Sequence, residues 1–285
     1  MTKIGIFSTF IEPAALELVQ TVQNAVRSGD IPNTEISFIF SNRERGESQI
    51  TDGILDQLSH SSIPLICFSA RKFKPETRIK AKKEEEQKNV SSIQEWRNEF
   101  GAELLKRLPA TDIDLALGDL YIWGDNLCEQ RNGINLHPAL PTGPKGEWYK
   151  VIWELIQNKA TETGVMMHKI TKKLDEGPPV TSCRFGIQGY QFDSLWNQLP
   201  QDDAQLKELI EQGLSEKEKT QHPLHRRIRQ YGLTREFPLI IQTAKSFAQG
   251  EIRFGENCLD LTKQIDELVV PLLEGRFSPR KEVKV

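Results

Sequence analysis

The stretch Gly133-Ile-Asn135-Leu-His137-Pro138 opens the most informative part of the chain, which continues to Val180. Asn135 and His137 are two positions apart in a strand-like run, so both side chains are expected on the same face of a strand. Pro138 cannot donate a hydrogen bond to a neighbouring strand and therefore ends the run. The pattern predicts an amide and an imidazole at the mouth of a sheet.

A carboxylate follows in the same part of the chain. Asp175 lies in Lys-Leu-Asp-Glu-Gly, a predicted turn between the strand-like runs Val165–Ile170 and Val180–Ile187. An amide can donate to a carbonyl oxygen that gains negative charge, an imidazole can carry a proton near neutral pH, and a carboxylate can stabilise the charged imidazole. These side chains suit acyl transfer to an amine. His168, on the strand that enters the turn, is interpreted as a structural histidine.

Short apolar runs predict the other strands of the sheet. They are Lys3–Ser8, Glu35–Ser41, Pro64–Phe68 and Asp114–Leu117, and their composition is typical of buried parallel strands. Helix-like segments separate them, as after Pro13, a residue that suits a first helical turn. The alternation predicts an α/β fold with a Rossmann-like open, mostly parallel twisted sheet flanked by helices, whose ligands bind beyond the carboxyl ends of the strands.

Two further regions have a distinct composition. The segment from Arg71 to Lys88 is strongly charged and is predicted to be a solvated helix face or a mobile loop. Beyond Gln188 the chain is mainly helical and polar. Near its end we expect a turn followed by an apolar helix over Pro238–Ala248, and then a short strand at Glu251–Phe254.

Four ordered motifs resemble the catalytic half of the folate-dependent formyltransferases. They are Asn135-x-His137-Pro, Gly146 before a helix with Trp153, Glu-Thr-Gly164-Val, and Leu-Asp175-x-Gly-Pro. Within that family the chain is most similar to phosphoribosylglycinamide formyltransferase, clearly so over about residues 110–190. The resemblance implies a one-carbon transferase that moves a formyl group from its co-substrate, 10-formyltetrahydrofolate, to a primary amine. Glycinamide ribonucleotide, in purine biosynthesis, is the first expectation for that amine.

The family's pattern implies a role for each of these side chains. Asn135 and protonated His137 would hold the oxyanion of the tetrahedral adduct, while Asp175 would support the charge of His137 and aid proton transfer. In the family, a segment that binds the pterin ring through its backbone corresponds to Leu120, Tyr121, Ile122 and Trp123. With Thr171 these residues are the expected co-substrate contacts, although the rings of Tyr121 and Trp123 suit a structural role equally well.

The substrate end departs from the family's pattern. A glycine-rich turn normally follows the first strand and holds a ribose phosphate, as anion-binding turns do. Here the sequence is Ser8-Thr9-Phe10-Ile-Glu12-Pro, which has no glycine and contains a carboxylate that would repel phosphate. Ser8, Thr9 and Lys145 are the expected substrate-binding residues. The loop before Lys145 also differs from the usual Leu-Leu-Pro-rich segment.

Several alternatives stay open at this point. The acceptor could instead be an amino sugar nucleotide or an aminoacyl-tRNA. The sequence is also compatible with a hydrolase of 10-formyltetrahydrofolate and with a non-catalytic folate-binding homologue. Acidic, helical residues 190–285 argue against a tRNA-binding barrel. A Gly-x-Gly-x-x-Gly motif and a Gly-x-Ser-x-Gly elbow are absent from the sequence, which disfavours dehydrogenases and serine hydrolases. His222 and His225 form only a weak metal-site pattern, and no metal is expected.

Composition sets the remaining expectations. A net charge of -3 in 285 residues does not indicate a nucleic-acid partner, and the widely spaced cysteines indicate neither a zinc site nor a disulfide framework. We expect a cytoplasmic protein with small-molecule partners, an amine and a folate, without membrane association; a homodimer is left open. The expected organisation is a formyltransferase domain over residues 1–190, with a charged insert at about 71–90, and a helical region over residues 191–285 packed on the same domain.

Overall fold

The computed structural model describes residues 1–117, 121–173 and 175–277, so Leu120 of the expected co-substrate segment lies outside the described residues. The chain divides into two compact units. The first comprises Met1–Leu136, His168–Pro178 and Thr243–Glu256, and the second comprises His137–Met167, Pro179–Gln242 and Asn257–Val285. These units differ from the division expected at residue 190, because residues 137–167 and 179–190 belong to the second unit and Thr243–Glu256 belongs to the first.

Parallel strands form the sheet of the first unit. They are β1 (Thr2–Ser8), β2 (Thr34–Ser41), β3 (Leu65–Cys67), β4 (Ile113–Leu117) and β5 (Gly133–His137). Their order is β3-β2-β1-β4-β5, and each neighbouring pair is parallel. The register pairs Phe7 with Ala116 and Ala116 with Asn135. The predicted α/β fold is confirmed, and Asn135 stands near the carboxyl edge of this sheet.

Helices connect these strands, and local sequence accounts for their ends. They are α1 (Pro13–Ser28), α2 (Gln49–Ser59), α3 (Pro75–Glu86), α4 (Ser91–Leu105) and α5 (Asp125–Gln130). Pro13 occupies the first turn of α1, and Gly29, with a φ of 83°, ends it in the left-handed region that favours glycine. The hydroxyl of Ser48 caps α2 by accepting a hydrogen bond from the Thr51 N–H.

An aromatic core lies under the inserted segment of the first unit. The Trp96 ring of α4 stacks on Phe100 with 5.3 Å between ring centroids, and Phe100 stacks on Phe68 at 4.7 Å. The charged insert forms helix α3, in which Ala81 is the buried residue. The insert is therefore helical, one of the two conformations expected for it, and it contributes little apolar surface to the core.

The second unit contains most of the remaining strand residues and most of the C-terminal helices. Its strands β6 (Glu162–Lys169), β7 (Pro179–Gly186) and β8 (Leu259–Asp260) lie in that order, and β7 pairs with β8 in parallel. Its helical elements are α6 (Trp148–Gln157), α7 (Asp193–Trp196), α8 (Asp203–Glu208), a π-helical turn at Leu209–Gly213, α9 (Glu216–Gln221), α10 (Pro223–Ala248) and α11 (Thr262–Phe277). Among the described residues, no helix is both long and apolar enough to cross a membrane.

Two predictions near the C-terminus are wrong. Helix α10 runs from Pro223 to Ala248 without the turn expected before Pro238, and this proline lies inside the helix. Proline inside a helix costs roughly 3 kcal/mol, which the complete burial of Leu239 and Ile240 offsets at about 1.5–3 kcal/mol for each side chain. The residues from Glu251 to Phe254 form no strand. Phe254 instead packs on α10, where its ring centroid lies 5.1 Å from that of Phe247.

Candidate functional site

Strand β5 places two polar side chains in a buried setting. Asn135 is 6% exposed and His137 is 2% exposed, and their alternate positions point them to the same face of the strand. The strand begins at a glycine for a steric reason: a Cβ on Gly133 would lie 2.4 Å from Cη2 of Trp123. Strand β5 therefore carries an amide and an imidazole two positions apart.

The amide of Asn135 is only partly hydrogen-bonded. Its Nδ2 donates to the carbonyl oxygen of Leu136 at 2.9 Å. Its Oδ1 is buried and has no hydrogen-bond partner among residues 1–117, 121–173 and 175–277. Because a side-chain amide can rotate by half a turn, the end without a partner can present either an acceptor or a pair of N–H donors. A buried polar end of this kind is suited to a polar ligand.

The imidazole of His137 is oriented by the loop that follows it. Its Nε2 lies 2.9 Å from the carbonyl oxygen of Pro144. Since a carbonyl oxygen only accepts hydrogen bonds, Nε2 carries the proton in the neutral ring, and Nδ1 then holds the lone pair. The loop between β5 and α6 thereby sets the tautomer of His137.

The turn that carries Asp175 pairs this carboxylate with a second histidine. Oδ1 of Asp175 lies 3.6 Å from Nε2 of His168, and the two side chains are 10% and 1% exposed. Nδ1 of the same ring lies 3.1 Å from the carbonyl oxygen of Lys169. Asp175 has a φ of 52°, a left-handed conformation that aspartate tolerates better than most residues. His168 is thus a polar partner of the carboxylate, which the structural interpretation of this histidine missed.

Tight backbone packing holds the same turn in place. The Lys169 N–H donates to the carbonyl oxygen of Pro178 at 2.9 Å, and the Ile170 N–H donates to that of Gly133 at 2.8 Å. A Cβ on Gly177 would lie 1.6 Å from the Lys169 carbonyl oxygen, so only glycine fits. The turn therefore lies beside the start of β5. The sequence signal for His168 was its place on the buried strand that enters this turn.

The expected co-substrate segment is only partly at the surface. Ile122 is fully buried and Trp123 is 4% exposed in the aromatic core, where the indole lies 5.2 Å from the Phe7 ring. Tyr121 is half-buried, with the guanidinium of Arg97 4.8 Å from its ring centroid. The Trp123 indole thus belongs to the core. At this position a ligand could contact only the backbone.

The other expected ligand contacts lie on turns and loops. Thr171 is half-buried, and its hydroxyl donates to the carbonyl oxygen of Lys173 at 3.1 Å. Ser8 is 1% exposed, and its Oγ accepts from the Phe10 N–H at 3.4 Å. Thr9 is half-buried, and Lys145, in the second unit, is exposed.

Comparison with known proteins identifies the fold. No protein-family model matches the sequence, and no curated protein matches it either. Among solved structures, the phosphoribosylglycinamide formyltransferase of Coxiella burnetii is 18% identical, with 90% of this chain and 91% of that chain covered and a TM-score of 0.55. Glycinamide ribonucleotide transformylase 1 from Symbiobacterium toebii is 16% identical, with 90% and 92% covered and a TM-score of 0.52. The enzyme of Brucella melitensis is 16% identical, with 87% and 95% covered and a TM-score of 0.52.

The fold is that of the phosphoribosylglycinamide formyltransferases. The predicted resemblance is therefore confirmed at the level of the fold. At 16–18% identity the similarity shows the fold alone and not the activity or the acceptor.

A second pair of histidines on this formyltransferase fold is buried among aromatic rings. His225 is fully buried; its Nε2 lies 3.2 Å from the Tyr149 carbonyl oxygen, and its ring centroid lies 5.6 Å from that of Trp153. The His222 ring lies 5.4 Å from the same indole. No cluster of metal-ligating side chains occurs in the described parts of the chain. We interpret this pair as part of the packing of α10 on α6.

Burial of His225 should make stability depend on pH. Burial lowers the pKa of His225 from 6.5 to about 4. Between these values the unfolded chain binds a proton that the folded chain excludes, so stability is fully present above pH 6.5 and falls as the pH decreases toward 4, by up to about 3 kcal/mol. Urea unfolding at pH 7 and pH 5 measures the loss.

A neutral replacement separates His225 from other groups. His225→Gln keeps a donor for the Tyr149 carbonyl and cannot be protonated, so we expect it to flatten the pH dependence. His60→Asn, at an exposed histidine, is the matched control and should retain the wild-type profile. An unchanged profile in His225→Gln would contradict the assignment.

Proposed function

We propose that the protein transfers a formyl group from 10-formyltetrahydrofolate to a primary amine. The observation that carries the proposal is the placement of Asn135 and His137 on one strand of a formyltransferase fold, with a buried amide end that has no partner among the described residues. A formyl oxygen fits this end once a half-turn of the amide, which gives up the bond to Leu136, presents N–H donors there. The oxygen then gains negative charge when an amine attacks the formyl carbon.

Each side chain then has a defined task. The Asn135 amide, turned to present its N–H groups, donates to the oxygen as its charge grows. His137 carries the proton that stabilises the same oxygen, and the loop carbonyl of Pro144 keeps its ring in one orientation. The Asp175 carboxylate, which is paired with His168, accepts protons as the amine loses them. The co-substrate supplies the formyl carbon and, after transfer, leaves as tetrahydrofolate.

Glycinamide ribonucleotide is the acceptor we propose, which would assign the protein to purine biosynthesis. The support is the fold shared with enzymes of that name. The turn after β1 does not match a phosphate-binding turn. Glu12 is exposed there, and Phe10, with a φ of 47°, is fully buried. Ser8 and Thr9 are the hydroxyl donors of this turn, and Lys145 stays a predicted substrate contact.

An acceptor panel tests both levels of the proposal. Purified protein is incubated with 10-formyltetrahydrofolate and, separately, glycinamide ribonucleotide, an amino sugar nucleotide, simple amines or water, and tetrahydrofolate and formate are measured. We expect tetrahydrofolate only with an amine, and most with glycinamide ribonucleotide. Formate without an amine would indicate a hydrolase, turnover with another amine would correct the acceptor, and no turnover would favour a non-catalytic homologue.

The histidine beside Asp175 should act as a positioning residue. His168→Gln removes the ring that lies 3.6 Å from the carboxylate. The substitution removes the charge partner of a largely buried carboxylate, so we expect kcat to fall roughly 10–100-fold with KM nearly unchanged. Steady-state kinetics across pH 6–9 measure the effect and also report a shifted pH profile.

The matched control for this substitution is again His60→Asn. It changes an exposed histidine and should leave kcat and the pH profile unaltered. A His168→Gln variant with wild-type kcat and an unshifted profile would return His168 to a purely structural role.

A further inference from the structure

The inserted helix α3 brings cationic side chains onto the ring of Tyr121. Nζ of Lys82 lies 4.5 Å from the ring centroid, Cζ of Arg97 lies 4.8 Å from it, and Cζ of Arg78 lies 5.3 Å from it. Arg78 and Lys82 are one turn apart on α3, while Arg97 comes from α4 and donates through Nε to the Tyr121 carbonyl oxygen at 2.8 Å. All of these residues belong to the first unit.

Arg43 and Arg71 add further positive charge to this group of cations. The charge of Arg71 acts on both Lys82 and Arg43, and the charge of Arg78 acts on Arg43 as well. Burial, followed by the charge of Arg78, lowers the pKa of the Lys82 ammonium below its usual range. Burial, followed by the charge of Arg71, lowers the pKa of the Arg43 guanidinium. Like charges are thus held close together in a half-buried setting.

Carboxylates balance only part of this charge. Glu85 lies 3.0 Å from Nη2 of Arg97, and Glu47 lies 3.5 Å from Nη1 of Arg43. Among the described residues, Glu47 and Glu85 are the carboxylates that act on Arg43 and Lys82. They are outnumbered by the cations Arg43, Arg71, Arg78, Lys82 and Arg97. Unbalanced like charges are unfavourable unless another anion approaches them.

Burial of apolar side chains does not explain why α3 carries this charge. Ala81 is the buried residue of the helix, and its N-cap is Lys74, with a φ of 41° and no side-chain cap. Nε of Arg78 is buried and has no hydrogen-bond partner among the described residues. A buried guanidinium N–H without an acceptor is costly, so its presence beside other cations indicates a ligand with acceptor oxygens.

We infer that α3 and α4 build a binding site for a multiply charged, phosphate-bearing anion over Tyr121, with Arg78, Lys82 and Arg97 as its principal contacts. Guanidinium groups bind phosphate oxygens through paired N–H donors, and the ammonium adds a compact charge. A multivalent anion matches the excess of positive charge better than a single carboxylate does. The site goes beyond the proposed formyl transfer and does not depend on it.

Calorimetric titration with pyrophosphate, at constant ionic strength set with chloride, tests the site on the full chain. We expect saturable binding. The affinity should fall about tenfold in Arg78→Gln and about tenfold in Lys82→Gln, each measured as a single variant. The control is the double variant Lys80→Gln with Lys83→Gln, which removes two positive charges from exposed positions of the same helix. It should bind pyrophosphate as wild type does. Equal weakening in the control, or no saturable binding, would overturn the proposal.

Thermal unfolding supplies a readout that a purely structural role would not give. Without the anion, Lys82→Gln should raise the Tm, because it relieves repulsion among the cations. With pyrophosphate, the same variant should gain less Tm than wild type does. A lower Tm under both conditions would assign Lys82 to structure and overturn the site.

A competition experiment identifies the source of the anion. Pyrophosphate that binds equally well with and without saturating 10-formyltetrahydrofolate supports a separate phosphate ligand. Mutually exclusive binding would assign the cations to carboxylates of the co-substrate and overturn the phosphate assignment. Because the readout is binding, its outcome is independent of whether formyl transfer is detected.

Discussion

Asn135→Ala should lower kcat/KM for formyl transfer by about 10²–10³-fold, the usual effect of removing one donor to an oxyanion. The side chain is 6% exposed, and its amide has one end without a partner among the described residues. An interaction made only as the oxygen gains charge lowers kcat and kcat/KM together. We therefore expect both constants to fall by similar factors, with KM for the folate nearly unchanged.

Steady-state assays with the best acceptor of the panel measure this effect. His137→Ala should give a loss of similar size, and the two losses should not multiply in the double variant, since both side chains serve one oxygen. Asn158→Ala changes an exposed amide and should keep wild-type kinetics. Activity within about tenfold of wild type in Asn135→Ala and His137→Ala would contradict the proposed roles.

The largest expected effect on stability comes from Asp114 of strand β4, whose side chain is completely buried. Its carboxylate accepts from Nη2 of Arg131 at 2.9 Å and from the Thr111 hydroxyl at 2.8 Å. Removing one partner of a buried ion pair leaves the other charge without compensation. Asp114→Ala should therefore lower the free energy of unfolding by about 3–5 kcal/mol.

Urea denaturation of single and double variants tests this prediction. Replacing both partners, as in Asp114→Leu with Arg131→Met, should cost clearly less than the sum of the single changes, because no buried charge remains. The exposed pair Lys74–Glu99, with a separation of 2.6 Å, is the control, and breaking it should cost less than about 1 kcal/mol. A loss below that value for Asp114→Ala would show that the pair does not stabilise the fold.

Much of the scaffold could be predicted because local physics decides it. The apolar run Glu35–Ser41 corresponds to β2, which spans Thr34–Ser41, since its short length and its isoleucine and phenylalanine side chains favour a buried strand. The side chains of Asn135 and His137 share a face because strands have a period of two residues. The break at Pro138 follows from its missing N–H.

Pairings between distant segments could not be predicted in the same way. The contact of His168 with Asp175 depends on the conformation of the turn between β6 and β7, which includes a left-handed residue and a glycine in van der Waals contact with backbone. The continuation of α10 through Pro238 also has a tertiary cause, because burial of the neighbouring residues offsets a strong local signal against helix.

The sequence by itself determined the parallel α/β scaffold, the strand that carries Asn135 and His137, and the departure of the Ser8–Pro13 turn from a phosphate-binding pattern. Only the tertiary structure decided that Trp123 belongs to the core, that Asp175 has a histidine partner, and that the charged insert lies on Tyr121. The reason is physical: periodicity and backbone chemistry are encoded in neighbouring residues, whereas burial and charge pairing depend on which remote segments meet when the chain packs.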